Sequence, residues 1–182
     1  MREPVLIAFG ANIDPLNNLF QGLTHLHRLV KLEAVSTVWR TDPLPDPKQT
    51  EAYDLGDRYL NGAVLTWCQI PPLELRLALK KIEADCHRVR SPNRFAPRSL
   101  DLDIALIGGQ VLNHPELTLP DPDIVHRSFL ALPLAELMPE LIHPSEKKSL
   151  AQLAAGFPSG PMEMERDDLA TKLLRTLINR QN

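Results

Sequence analysis

Cysteine is scarce: the 182 residues hold two, Cys68 and Cys86. Two thiols make neither a disulfide framework nor a zinc site. Cys86 stands beside His87, but adjacent residues on a helix do not face each other, which argues against a thiol–imidazole pair. Long apolar runs are missing too. The N-terminal run spans only Val5 to Phe9, too short for a signal peptide or a membrane span. An excess of one charge is absent; the net charge of −3 leaves no general footprint for nucleic acid. Glycine is sparse, eight residues against seventeen prolines, and no glycine-rich phosphate fingerprint occurs. The prolines imply stiff, specified connections. No internal repeat or low-complexity segment is present. These absences describe a cytoplasmic protein with no nucleic-acid partner and no membrane partner.

What remains suits one domain, or one domain with an appendage. Charged residues make up 24% and hydrophobic residues 43% of the chain, as in an ordinary globule. Val5–Phe9 reads as a buried strand closed by Gly10. Asp14 offers an N-cap with Pro15 in the first helical position, and Leu16, Leu19, Phe20, Leu23, Leu26 and Leu29 predict a helix over 15–30. His25 and His27 fall on or beside that stripe and read as structural. Ala34 to Trp39 predicts a second strand, residues 40–58 a long loop, and Tyr59 to Trp67 a third strand. Pro71-Pro72 opens a second helix with a Leu75, Leu79, Ile82, Cys86 stripe and Leu73 and Leu77 alongside. Gly108-Gly109 predicts a tight turn into Gln110–Leu112. Short helices follow at Ser128–Leu137, interrupted by Pro133, and at Lys148–Ala155. A terminal helix over Met164–Ile178 carries Leu169, Leu173, Leu174, Leu177 and Ile178 on one side. Two β-α-β units without a glycine fingerprint suit an α+β fold, a ferredoxin-like α/β sandwich with a mainly antiparallel sheet and extra short helices.

The chemistry concentrates in Arg98-Ser99-Leu100-Asp101-Leu102-Asp103-Ile104-Ala105-Leu106. Read as a strand it alternates strictly: Leu100, Leu102, Ile104 and Leu106 point one way, Asp101, Asp103 and Ala105 the other. The two carboxylates then lie about 6.6 Å apart on one face. Aspartate is depleted in strands, and two on one face repel unless a cation sits between them. Mg²⁺ typically uses one or two carboxylates plus substrate phosphates. The preceding loop carries Arg88, Arg90, Arg94 and Arg98 and no acid between Cys86 and Arg98. Arginines for phosphate oxygens, followed by carboxylates for a bridging metal, are both halves of a nucleotide–metal site. A solvated basic loop before a polar strand face is the plainer reading of the same residues.

Four stretches make the chain resemble a known family, that of 6-hydroxymethyl-7,8-dihydropterin pyrophosphokinase in the folate pathway. They are Ala8-Phe9-Gly10-Ala11-Asn12, Tyr59-Leu60-Asn61, Arg98-Ser99-Leu100-Asp101-Leu102-Asp103-Ile104, and Arg127-Ser128-Phe129 with Pro133-Leu134. The resemblance covers residues 4–155. It implies a pyrophosphokinase domain over 1–157 and a C-terminal helical extension over 158–182 that is not an independent domain.

The resemblance further implies transfer of the terminal diphosphate of ATP, as cosubstrate, to the hydroxymethyl group of the reduced pterin, with AMP released. Asp101 and Asp103 would be ligands to two Mg²⁺ ions, and Arg88 and Arg98 loop arginines that help the transfer. Lys80, Glu83, Arg90, Ile104, Thr118, Asp121 and Arg127 match nucleotide positions. Thr41, Asp42, Leu44, Tyr59, Asn61, Phe95 and Phe129 match pterin positions, with the ring stacked between Tyr59 and Phe129 and Asn61 at its edge. The tail helix suggests either a cap on the domain or docking on a neighbouring folate-pathway enzyme.

The chain departs from the family's pattern in places. Asp121 stands where a histidine is usual, and a carboxylate repels a phosphate within about 8–10 Å. Alternatively Asp121 meets the ribose or adenine edge, with His126 or Lys80 restoring the positive contact. Lys80 replaces a frequent glutamine, Glu116 an arginine of some members, Pro122 an aromatic of some members, and Phe95 a common tryptophan. Two rival functions follow: a pterin- or nucleotide-binding homologue made weak or inactive by Asp121, and an ordinary γ-phosphoryl kinase that releases ADP.

Overall fold

The first strand runs longer than the apolar run that marks it, from Glu3 to Ala11 (β1). Its odd residues Val5, Ile7 and Phe9 face one core and Leu6 faces another, the period-2 signature of a strand buried on both faces. The computed structural model describes residues 2–43, 57–88, 96–157 and 164–179. Helix α1 (Pro15–Leu29) follows and buries Leu19, Leu23 and Leu26. Asp14 does not cap it in the expected way. Its backbone is left-handed and its carboxylate accepts from the Asn17 side-chain Nδ2 at 3.0 Å, not from a backbone N–H, so Pro15 alone marks the start.

The single strand expected over Ala34–Trp39 is two: β2 (Leu32–Val35) and β3 (Trp39–Thr41). The break lies at Ser36–Val38, where side chains replace backbone acceptors for the Thr37 and Val38 amides. The Thr37 amide donates to Glu136 Oε2 at 2.9 Å and the Val38 amide to Thr171 Oγ1 at 2.8 Å. Strand β4 (Tyr59–Cys68) leads to helix α2 (Pro72–Asp85), strand β5 (Asp101–Ile107) and a small hairpin of β6 (Leu112–His114) and β7 (Leu117–Leu119). The strand after Gly109 therefore begins two residues later than the sequence suggested. In α2 the Leu75, Leu79, Ile82, Cys86 stripe is buried, whereas Leu77 is 61% exposed. A 3₁₀ turn (Pro122–Val125) precedes α3 (Ser128–Leu137), which runs through Pro133 without interruption, and α4 (Leu150–Ala155). Ser149 and Gln152 close a reciprocal capping box on α4.

The tail differs most from expectation. It opens with a two-residue strand, β8 (Glu165–Arg166), and only then forms α5 (Asp168–Asn179). Ala170, Leu174 and Leu177 enter the main core, while Leu169, placed on the apolar side by its spacing, is 72% exposed.

The main sheet runs β5-β1-β4-β3-β8 with β2 also pairing β4, and its pairs are antiparallel. This is a ferredoxin-like α+β sandwich. Helices α1, α2 and α5 cover one face, and α3 with α4 covers the other. Each fully buried leucine contributes about 1.5–3 kcal/mol. The strict alternation of β5 holds only as far as Ile104. Ile7 pairs Ile104 but Leu6 pairs Leu106, so Ala105 is an extra residue. Leu106 is thereby turned to the second core beside Leu6, not to the side of Leu102.

Candidate active site

The open end of β5 carries Asp101, Asp103 and the groups that surround them. Two cavities meet there. The first, of about 480 Å³, is bounded by Thr41, Asp42, Tyr59, Asn61, Arg127 and Phe129. The second, of about 390 Å³, is bounded by Arg76, Lys80, Ile104 and Thr118. Arg88, Arg98, Asp101, Asp103 and Asp121 line both. The acid pair therefore stands at the wall between two spaces, each of small-ligand size. Arg90, Leu44 and Phe95 lie outside the described residues.

Glu83 is fully buried near the end of α2 and anchors the cluster. Its Oε1 accepts from the Leu102 amide at 2.9 Å, Lys80 Nζ at 2.8 Å and Arg88 Nη1 at 2.8 Å. Burial pushes the Glu83 carboxyl above its usual range, and Lys80, the Leu102 amide and Arg88 oppose that. Asp101 is gripped on one oxygen by Arg88 and on the other by Arg98. Burial alone would raise its carboxyl; Arg88, Arg98 and Lys80 outweigh burial and hold it below the usual carboxylate range. Asp103 is more open and meets Lys80 Nζ at 3.0 Å. Oxygens of Glu83, Asp101 and Asp103 lie within 4.8 Å of one another. An all-carboxylate donor set of this kind fits a hard divalent cation.

In the first cavity, two strands come unusually close. A Cβ on Gly10 would lie 2.6 Å from Asn61 Oδ1, so only glycine admits the Asn61 amide over β1. That amide donates from Nδ2 to Thr41 Oγ1 at 2.8 Å. Tyr59 donates to the Ala96 carbonyl at 3.5 Å, and burial raises its phenol above the ordinary value. Arg127 borders this first cavity, not the second, with Nε 3.9 Å from Asp123 Oδ1.

Asp121 borders both spaces. Its carboxylate accepts from the Asp123 amide at 2.8 Å. Burial pushes it up to about 6, with Asp123, Asp103 and Asp101 adding to the rise and the Asp123 amide opposing it.

Three residues of the site were not singled out from sequence. Asn12 is buried; its Oδ1 accepts from the Arg98 amide at 2.7 Å and its Nδ2 donates to the Asp57 carbonyl at 3.2 Å. A polar residue ending a buried strand was the available signal. Arg76 shares a helix face with Lys80 and Glu83 at i, i+4 and i+7 and lines the second cavity. Arg58 meets Asp42 at 2.9 Å, a pairing that no local spacing announces.

Known proteins fit this geometry. The family of 7,8-dihydro-6-hydroxymethylpterin-pyrophosphokinase (HPPK) matches residues 6–139. A 2-amino-4-hydroxy-6-hydroxymethyldihydropteridine pyrophosphokinase of Pseudomonas aeruginosa is 36% identical over 161 residues, covering 87% of this chain and 94% of that one. A folate synthesis bifunctional protein of Arabidopsis thaliana is 32% identical over 142 residues, covering 75% of this chain and 27% of that one. The crystal structure of a triple mutant of Plasmodium falciparum HPPK-DHPS with pteroate shares the fold, with TM-score 0.61, 15% identity and 85% of this chain covered. This chain spans 41% of that one. The chain thus belongs to the HPPK family and is an ATP-dependent pyrophosphokinase of folate biosynthesis.

Proposed function

We propose that the first cavity takes 6-hydroxymethyl-7,8-dihydropterin, that the second takes ATP, and that Asp101 and Asp103 hold two Mg²⁺ ions between them. The observation carrying this reading is that one acid pair and two arginines border both cavities. When bound, Mg²⁺ neutralises charge spreading over the transferred phosphoryl groups.

The chain's own residues do the rest. Tyr59 and Phe129 stack the pterin faces, and Asn61, held by Thr41, reads its edge with Asp42 beside it. Leu44 and Phe95, outside the described residues, are assigned to the pterin by the family resemblance. Lys80, Glu83, Ile104, Thr118 and Asp121 form the nucleotide side; Arg127, on the wall of the first cavity, and Arg90, outside the described residues, are assigned to the same nucleotide by the family resemblance. Arg88 and Arg98, which meet Asp101 at the shared wall, supply guanidinium donors for the phosphate oxygens of the nucleotide. The hydroxymethyl oxygen then attacks the β-phosphorus, the bond to the α–β bridging oxygen breaks, and AMP departs with that oxygen. The hydroxyl proton leaves to solvent.

Residues 1–157 are the catalytic domain on this reading, and 158–182 an extension that is not an independent domain. The product passes to a neighbouring folate-pathway enzyme; the bifunctional relative of Arabidopsis thaliana supports this. A cytoplasmic setting agrees with the described residues, where no helix is long and apolar enough to cross a membrane.

The test is product analysis with ATP, Mg²⁺ and the hydroxymethyl dihydropterin. One AMP per pterin diphosphate is expected. ADP in its place would support the γ-phosphoryl kinase, and binding without turnover an inactive homologue.

A further inference from the structure

The sheet edge beside the first cavity is closed by a segment that lies beyond the stretch matched to the family. Strand β3 is three residues long. On one side it pairs with β4, placing Trp39 opposite Asn61 and Thr41 opposite Tyr59. On its other side it pairs with β8, Trp39 opposite Arg166 and Arg40 opposite Glu165. Without β8 it would be a free edge next to the substrate wall.

Side chains tie the same three elements together. The Arg58 guanidinium places Nε 2.9 Å from Asp42 Oδ1 and Nη1 2.9 Å from Glu165 Oε2, and Nη2 donates to the Arg40 carbonyl at 3.3 Å. One fixed fork thus spans the tail, β3 and the mouth of the cavity. A separate pair, Arg40 Nη2 to Asp167 Oδ2 at 2.6 Å, anchors β3 to the start of α5. Asp167 also caps that helix through the Ala170 amide at 2.8 Å, so its loss would disturb α5 itself. Glu165 makes no such contribution to the core; its side chain is 66% exposed.

We propose that Glu165, acting through Arg58, is a positioning residue for the pterin-binding wall. Glu165 holds the Arg58 fork, and the fork sets Asp42 and the end of β3, where Thr41 orients the Asn61 amide. The tail therefore tunes affinity for the pterin without touching it. This inference rests on the assignment of the first cavity to the pterin.

The test is Glu165→Gln in the full chain, with Asn61→Ala as the companion. At low salt Glu165→Gln should raise the KM for the pterin about 1.5- to 5-fold, the range open to exposed ion pairs, with kcat, the KM for ATP and Tm unchanged. In about 1 M NaCl the Debye length falls to about 3 Å, and wild type and variant should converge. An unchanged pterin KM at low salt overturns the proposal. So does a matching loss in kcat, the KM for ATP and Tm, which marks a merely structural role. Asn61→Ala separates the two levels. If it leaves pterin affinity intact, the cavity assignment itself fails. If it abolishes affinity while Glu165→Gln changes nothing, only the role of Glu165 fails.

Discussion

Asp121→Asn is the most informative single change, because Asp121 carries charge where phosphate is expected. The carboxyl rises from 3.8 in the unfolded chain to about 6 in the fold. Below pH 3.8 both states are protonated and the group is neutral to stability. Between 3.8 and 6 the unfolded state ionises first, so stability falls as pH rises; above 6 the full cost persists. At 1.36 kcal/mol per pH unit the bound is about 3 kcal/mol, and partial exposure reduces it to about 1–2 kcal/mol. Asparagine keeps the oxygen that accepts from the Asp123 amide and removes the charge. Asp121→Asn should therefore match wild type near pH 3.5 and exceed it at pH 7.5 by about 2–8 °C in Tm, at about 2–4 °C per kcal/mol for a chain of this size. The KM for ATP at pH 7.5 should fall about two- to fivefold, since one like charge leaves the nucleotide's surroundings. Thermal unfolding across pH 3.5–8 and steady-state kinetics read both. Parallel stability–pH curves for the two proteins would refute the reasoning.

Two further outcomes follow from the same cluster. Lys80 Nζ sits 2.8 Å from Glu83 and 3.0 Å from Asp103, an internal cation among the carboxylates. Lys80→Gln should lower stability without metal by about 1–3 kcal/mol, because Arg88 still faces Glu83, and recover it with Mg²⁺; a Mg²⁺ response identical to wild type contradicts this. Asn12→Ala removes the acceptor of the Arg98 amide and should cost about 1–3 kcal/mol of stability, with kcat falling more than either KM. An unchanged kcat would separate Asn12 from the site.

The parts of the site legible in sequence are those written in local periodicity. Asp101 and Asp103 alternate with leucines, and that pattern needs only the pleat of one strand. The bulge at Ala105 was not legible, since Leu106 is apolar on either face and the shift is set by pairing with Leu6 and Ile7. Glu83 was legible through the family resemblance alone, and nothing in its spacing announced that it is buried. Its burial depends on the Leu102 amide, distant in sequence, and on Arg88, which the chain's turn after α2 brings back onto it. The apolar stripe of α5 was visible, yet Leu169 lies outside and Ala170 inside, because the docking angle is fixed by Asp167, Thr171 and Arg175 against residues 35–40. The break at Ser36–Val38 was hidden for the same reason: its partners, Glu136 and Thr171, come from later elements.

The central claim is that the carboxylates at the shared wall hold the cations that carry diphosphate from nucleotide to alcohol. Asp103→Asn tests it most directly, since Asp103 is the more open of the pair and its loss spares the Arg88 and Arg98 contacts to Asp101. In a single turnover with ATP, Mg²⁺ and the hydroxymethyl dihydropterin, AMP release should fall by about 10²–10³-fold while Tm holds. AMP appearing at the wild-type rate would contradict the account.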